Sequence, residues 1–279
     1  MARRRILVLG ASGYLGKELV TQSLRAGLSV AATYANNPRS TSGATWHQID
    51  LTDADRTMEL VTTIRPDVII NAAYRQSSWA DTADTAVNAA HAAAATRARL
   101  VFVSSDVVFD GHHSPYAEGA APSPITAYGS AKLAAETAIA TLTPTAVIAR
   151  TSLIVGSDGV SPQERRVRDL AQRRATGVLF TDDIRCPVHV SDLAAALLEL
   201  AATERSGIHH LAGSDAISRY EMGVLIAQRD GLDASLLQPG NRAGSDSPGP
   251  LDVRLDSSAT QAQLRTRLRG AREFLVKPG

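Results

Sequence analysis

The sequence predicts an α/β fold: a doubly wound parallel sheet followed by a smaller C-terminal α/β region. Short aliphatic runs alternate with alanine-rich segments of helical period. The runs are apolar throughout, as strands covered on both faces are, instead of alternating with polar residues. Only 4% of the 279 residues are aromatic against 44% hydrophobic, which fits an aliphatic sheet under helices better than an aromatic-rich sandwich.

Each element has a local reason. Residues 6–9 form an apolar strand that stops at Gly10, and Leu15, Leu19, Val20 and Leu24 recur at helical spacing up to Gly27, a natural stop. Strands follow at 29–33 and 45–49, and Asp53 can cap a helix running to about residue 64. A strand at 67–70, an alanine-rich helix at 81–97 and a strand at 100–103 come next. Residues 110–124 hold three prolines and read as a loop, before a helix at 126–141 and a strand at 145–149. This spacing indicates right-handed βαβ units and a parallel sheet.

Beyond residue 151 the pattern loosens. A strongly charged segment (161–175) precedes an alanine/leucine helix at 192–202. Ser218-Arg219-Tyr220-Glu221 matches a capping box that opens a helix to about residue 230. An exposed loop at 238–250 and a last helix at 258–268 complete the chain.

Composition narrows the partners. Twenty-nine basic residues against 28 acidic ones give a net charge of +1, so neither nucleic acid nor an anionic membrane is expected as a partner. A single cysteine excludes an intrachain disulfide and a multi-cysteine zinc site, and no metal is expected. No apolar run approaches the roughly 18 residues that span a bilayer. Arg3-Arg4-Arg5 before residues 6–9 is too short an apolar start for a secretory leader, and a cytoplasmic location is expected.

Gly10-Ala11-Ser12-Gly13-Tyr14-Leu15-Gly16 joins the first strand to the first helix. The first glycine permits a tight turn, the second removes a side chain that would hold a pyrophosphate away, and the third allows close helix–sheet packing. The helix N-terminus then faces the phosphates with its N–H groups and positive dipole end. Placed after the first strand of a βαβ series, the loop indicates a Rossmann-type dinucleotide-binding domain over residues 1–150. Residues 151–279 are then mainly substrate-binding, with a segment near 186–203 returning to the first domain.

The second strand ends in Thr33-Tyr34-Ala35-Asn36-Asn37-Pro38-Arg39, with no carboxylate to bind a ribose 2′-hydroxyl. Arg39, with Asn36, suits a 2′-phosphate, so NADP(H) is favoured over NAD(H); a solvated loop arginine is the plain alternative. Asp50 either accepts from the adenine amino group or caps the turn that follows it.

Tyr128 and Lys132 stand at i and i+4 on one helix face. An ammonium beside a phenol favours the phenolate, so the tyrosine can move a proton near neutral pH. Lysines are scarce, with only Lys17, Lys132 and Lys277 present, which sharpens the signal. Ser104 and Ser105 close the fifth strand, at the sheet edge where open α/β sheets bind ligands.

These residues resemble the extended short-chain dehydrogenase/reductase superfamily, in its dTDP-4-dehydrorhamnose reductase-like, sugar-nucleotide-binding branch. The resemblance spans most of the chain. It includes Gly10 to Gly16, residues 65–73, Ser104-Ser105-Asp106-Val107-Val108-Phe109-Asp110-Gly111, Pro115-Tyr116-Ala117-Glu118, Pro124, Tyr128 to Lys132 with Glu136, Ala149-Arg150-Thr151 and Asp192-Leu193-Ala194. It implies Ser105, Tyr128 and Lys132 as catalytic residues. It implies cofactor contacts from the glycine loop with Ser12, Tyr14 and Leu15, from Asp50 and Leu51, from Ala72, Ala73 and Tyr74, and from Lys132 on the nicotinamide ribose. Members usually carry Tyr at the position of Val107 and often an aromatic residue after Arg150-Thr151, where Ser152-Leu153 stand here. Val107 and Leu153 are therefore candidate substrate contacts that set this chain apart.

Four further features carry less. His112-His113 read as solvated loop residues, since no third metal ligand stands at a recognisable spacing. His209-His210 lie on a strand, one facing inward and one outward. Cys186 reads as a small buried residue. Arg185 either clamps a substrate phosphate or carboxylate, or pairs with Asp182 or Asp183.

The expected activity is an NAD(P)H-dependent ketoreductase acting on a small-molecule ketone, with a nucleotide-linked deoxysugar as the expected substrate and a homodimer compatible with the chain. An epimerase or dehydratase retaining NAD, and a non-catalytic NAD(P)-binding regulatory subunit, are the competing expectations.

Overall fold

The computed structural model describes residues 3–37, 41–156, 160–246 and 249–276. The chain forms two compact units. The first comprises Met1–Ser105, Ala127–Arg150 and Ala194–His209; the second comprises Asp106–Thr126, Thr151–Leu193 and His210–Gly279.

In chain order the elements are β1 (Arg5–Leu9), α1 (Tyr14–Arg25), β2 (Ser29–Tyr34), β3 (Ala44–Gln48), α2 (Ala54–Ile64), β4 (Val68–Asn71), α3 (Thr85–Thr96), β5 (Arg99–Ser105), α4 (Ala127–Leu142) and β6 (Val147–Thr151). Then come β7 (Ile154–Val155), α5 (Pro162–Ala171), β8 (Leu179–Phe180), β9 (Ile184–Arg185), β10 (Val188–His189), α6 (Val190–Ala201) and β11 (Gly207–Leu211). The chain closes with β12 (Ile217–Ser218), α7 (Arg219–Arg229), β13 (Pro239–Gly240), α8 (Ser258–Gln261) and α9 (Ala271–Phe274).

Seven strands build the central sheet in the order β11-β6-β5-β4-β1-β2-β3. Strand β1 pairs in parallel with β2 on one side and β4 on the other, with Leu9 opposite Asn71. The strand order therefore reverses beside β1, and the crevice at such a reversal is where open α/β sheets take ligands. The core between sheet and helices is aliphatic: Leu7, Leu9, Ile69, Leu100 and Ile148 meet the alanine face of α3 at Ala86, Ala89, Ala90 and Ala93. Asp53 accepts from Arg56 N at 3.0 Å and caps α2.

The second unit has its own core, in which Val167 and Leu170 of α5 pack with Met222 and Ile226 of α7 and with Phe274. Ser161 and Glu164 form a full capping box on α5. At α7 only half of the expected box forms: Ser218 accepts from Glu221 N, while the Glu221 carboxylate takes Arg272 at 2.6 Å.

Several elements differ from expectation. Residues 106–126 belong to the second unit, where Tyr116, stacked on Phe109, bridges to Leu255 and exchanges backbone hydrogen bonds with Arg254 and Asp256. The segment returning to the first unit is 194–209. The helix expected at 81–97 opens with a wider π turn, Ala80–Asp84, before α3. The helix expected at 258–268 stops at Gln261. Its side chain donates to Thr266 O and accepts from Leu268 N, folding the chain into a turn that buries Leu268. His209 and His210 are both buried; His210 packs edge-on against Phe109 and its Nδ1 lies 3.1 Å from Asp256 O. No helix among the described residues is long and apolar enough to cross a membrane.

Candidate active site

The glycine loop lies at the reversal of strand order. Gly10 has φ +74°, and a Cβ there would stand 2.7 Å from the Cα of Ala73, just beyond β4. A Cβ on Gly16 would stand 2.3 Å from Gly10 O and 2.6 Å from Ala11 Cα, so α1 packs onto the turn it grows from. Gly10 N donates to Thr33 Oγ1 at 3.1 Å, tying the loop to β2. No side chain caps α1, and its first turn carries no acid. An uncapped N-terminus of this kind, at the carboxyl ends of parallel strands, suits the pyrophosphate of a dinucleotide.

Of the other residues expected to contact a cofactor, Asn36 is exposed just beyond β2, while Arg39 lies outside the described residues. Asp50 forms the turn cap: its Oδ1 accepts from Thr52 N at 2.9 Å and Thr52 Oγ1 at 2.7 Å, and these bonds hold its carboxyl below the usual range. Leu51 is buried, and its carbonyl accepts from Asn88. Tyr74, just past Ala72 and Ala73, is exposed, with its ring centroid 5.8 Å from that of Tyr128.

Tyr128 is half-buried in the first turn of α4, and Lys132 follows one turn later at 2% exposure. Lys132 Nζ donates to Val103 O on β5 at 2.8 Å. Three rings surround it: Phe102 at 4.7 Å, Tyr74 at 5.2 Å and Tyr128 at 5.9 Å from Nζ to centroid. Burial pushes the ammonium down from 10.5 to about 7, against an upward pull from the Glu136 carboxylate.

The two serines of β5 separate. Ser104 is buried and donates to Glu136 Oε1 at 2.5 Å. Ser105 points to the other side of the pleat and is half-buried at the strand end. Glu136 also takes Arg150 of β6, with Nη2 to Oε2 at 2.7 Å and Nε 3.1 Å from Oε1; the two side chains are 4% and 1% exposed. Sequence reasoning assigned no role to this Ser104–Glu136–Arg150 network. Its signal was an arginine in the apolar strand Val147-Ile148-Ala149-Arg150, which demands a buried partner.

In the second unit Val107 is half-buried in the 3₁₀ turn Asp106–Val108. Leu153 packs against that unit's core. Ser152, beside it, donates to buried Asp106 at 2.7 Å, and burial raises the Asp106 carboxyl. Of the two roles open to Arg185, the ion pair is the one formed. At 2% exposure it meets Asp183 at 2.8 Å and Asp106 at 3.6 Å, and it donates to Ile184 O, Leu251 O and Pro250 O. A guanidinium so occupied is not presented to a substrate, which corrects the expectation of a clamp. Cys186 is buried, with its thiol pushed up to about 11 by desolvation. His112 and His113 are exposed, and no group of metal ligands is found among the described residues.

Comparison with known proteins adds a lineage to this geometry. The family model described as RmlD substrate binding domain matches residues 4–277. The probable low-salt glycan biosynthesis reductase Agl14 of Haloferax volcanii is 32% identical, over 92% of this chain and 91% of its own. The dTDP-4-keto-6-deoxy-D-glucose reductase of Streptomyces niveus is 34% identical, over 84% of this chain and 82% of its own. A crystal structure of dTDP-4-dehydrorhamnose reductase from Bacillus anthracis in complex with NADP shares the fold, with a TM-score of 0.83 over 98% of each chain at 23% identity. With nearly its whole length matched and the glycine loop, tyrosine and lysine brought to one end of the sheet, the chain belongs to the RmlD substrate binding domain family.

Proposed function

We propose that the protein is an NADPH-dependent ketoreductase acting on a keto group of a nucleotide-activated deoxysugar. The observation that carries the reading is Lys132: an ammonium buried one helical turn from Tyr128 and hydrogen-bonded to the strand that ends in Ser105. The names of the two curated relatives reported above, both reductases and one of them of a dTDP-linked keto sugar, support the substrate class.

The substrate carbonyl sits between Ser105 and Tyr128. When bound, the reduced nicotinamide supplies the hydride. Tyr128 gives its phenolic proton to the carbonyl oxygen, and the Ser105 hydroxyl donates a hydrogen bond to that oxygen as negative charge develops. Lys132 stabilises the phenolate left on Tyr128 and binds the ribose beside the nicotinamide. The loop from Gly10 to Gly16, with Ser12, Tyr14 and Leu15, would hold the pyrophosphate, and Leu51, Ala72, Ala73 and Tyr74 would line the rest of the cofactor, with Asp50 fixing the turn that carries Leu51. Arg39 and Asn36 select the 2′-phosphate, since no carboxylate stands in Tyr34-Ala35-Asn36-Asn37 to repel it.

The test is loss of NADPH absorbance with a panel of dTDP-linked 4-keto-6-deoxy sugars and simple ketones, together with analysis of the purified protein for bound nicotinamide. Turnover that consumes added NADPH stoichiometrically with ketone supports the reading. Tightly retained NAD with no net cofactor consumption replaces it with an isomerase or dehydratase, and cofactor binding without turnover of any ketone replaces it with a regulatory subunit.

A further inference from the structure

We infer that Glu136 is a positioning residue for the reaction: clamped by Arg150 and Ser104, it holds a fixed negative charge one helical turn from Lys132, so that Lys132 acts on Tyr128 as a cation. The inference rests on the reading of Tyr128 and Lys132 given above.

The geometry carries it in three steps. Tyr128, Lys132 and Glu136 follow one another at intervals of four on α4, so they share a helix face. That face is closed to water at its inner end, where Lys132 is 2% and Glu136 4% exposed. A buried ammonium loses its hydration, and a single carbonyl acceptor from Val103 with the faces of three rings replaces only part of it. A carboxylate nearby favours the charged form.

The carboxylate is itself fixed from two other strands. Arg150 on β6 grips it through Nε and Nη2, and Ser104 on β5 donates to it. Ser104 lies between Val103, whose carbonyl takes Lys132, and Ser105, the proposed donor to the substrate oxygen. The network therefore locks α4 to β5 at the residues where the chemistry is proposed. The ionisable groups of this unit facing the ammonium are Tyr128 and Glu136 on its own helix and Tyr74 beyond β4; Arg150 of β6 stands behind Glu136. Arg150 is held by the same carboxylate, so removing Glu136 alone takes the anion from Lys132 and strands the buried guanidinium as well.

The experiment compares wild type, Glu136→Gln and Glu136→Gln/Arg150→Met in the pH dependence of kcat for NADPH-dependent reduction of dTDP-4-keto-6-deoxy-D-glucose. Glutamine keeps the shape of the side chain and one of its two acceptor oxygens while removing its charge. The expected result is that the alkaline limb of kcat moves to lower pH by about one unit or more in the single variant. It returns part of the way in the double variant, with the Kd for NADPH within a few-fold of wild type. A purely structural role would lower Tm without moving the limb. A limb at its wild-type position in folded Glu136→Gln overturns the inference. If the single variant fails to fold, the double variant, which strands neither member of the Glu136–Arg150 pair, decides: a limb displaced to acid supports the inference and an unmoved limb overturns it. Tyr128→Phe separates the two readings. Wild-type turnover there removes the proposed function and this inference with it, whereas an unmoved limb in an enzyme that Tyr128→Phe inactivates overturns the inference alone.

Discussion

Ser104 donates to Glu136 at 2.5 Å from the buried side of β5, so the neighbouring Ser105, on the opposite side of the pleat, is the serine left at the half-buried strand end. Adjacent serines at the end of a strand are chemically identical in sequence. Their environments divide because one faces the helix that carries Glu136 and the other does not.

Tyr128→Phe is expected to lower kcat by about 10²–10⁴-fold, the usual contribution of a general acid. The ring contacts to Tyr74 and Lys132 remain, so cofactor binding and fold persist. Steady-state kinetics with a fluorescence titration of NADPH checks both halves. Turnover within a few-fold of wild type would remove Tyr128 from the mechanism.

Gly10→Ala is expected to abolish cofactor binding and to lower Tm. The left-handed conformation alone costs a non-glycine residue roughly 1–2 kcal/mol. The new Cβ would also press into the Ala73 backbone at 2.7 Å, which cannot give way without shifting the end of β4. Thermal unfolding with and without NADPH is the measurement; a variant stabilised by NADPH as strongly as wild type contradicts the assignment of the loop.

Arg150→Met is expected to destabilise the protein by about 3–5 kcal/mol, because it leaves the Glu136 carboxylate buried without its counter-ion. Replacing both partners, as Glu136→Leu/Arg150→Met, removes the stranded charge and is expected to recover most of the loss. Denaturant unfolding of the three proteins tests this. Equal destabilisation in single and double variants would mean that packing, and not the ion pair, dominates at this position.

Wild type is expected to bind NADPH more tightly than NADPH's dephosphorylated counterpart NADH, and Arg39→Ala to erase most of the difference. The reason is the absent carboxylate after β2 and the arginine that follows it. Paired titrations of both cofactors decide it, and tighter binding of NADH by wild type reverses the assignment.

The family resemblance implies a tyrosine at the position of Val107, and a valine side chain cannot hydrogen-bond a substrate hydroxyl. Sites that demand such a bond discriminate by up to about 10⁴–10⁵-fold. Wild type is therefore expected to favour a less hydroxylated keto sugar over dTDP-4-dehydrorhamnose, and Val107→Tyr to shift kcat/KM towards the hydroxylated one. A tenfold preference of wild type for the hydroxylated sugar would defeat this expectation.

The order of strands and helices through β6, the glycine loop at the end of β1 and the placing of Tyr128 and Lys132 on one helix face were determined by the sequence alone. Each depends on contacts or periodicities a few residues long, and apolar runs, turn residues and i, i+4 spacing encode those directly. The tertiary structure decided which partner each buried charge meets. Arg150 finds Glu136, fourteen residues away on another element, and Arg185 finds Asp183 and Asp106 instead of standing ready for a substrate. It also placed residues 106–126 in the second unit, where Tyr116 exchanges backbone hydrogen bonds with Arg254 and Asp256, and ended the last predicted helix early through the two hydrogen bonds of Gln261. The Arg150–Glu136 pair and the Arg185–Asp106 contact join segments that meet only after the chain has packed. A charge or aromatic ring taken out of water settles on whichever complementary group that packing brings within reach, and no local pattern specifies which group that is.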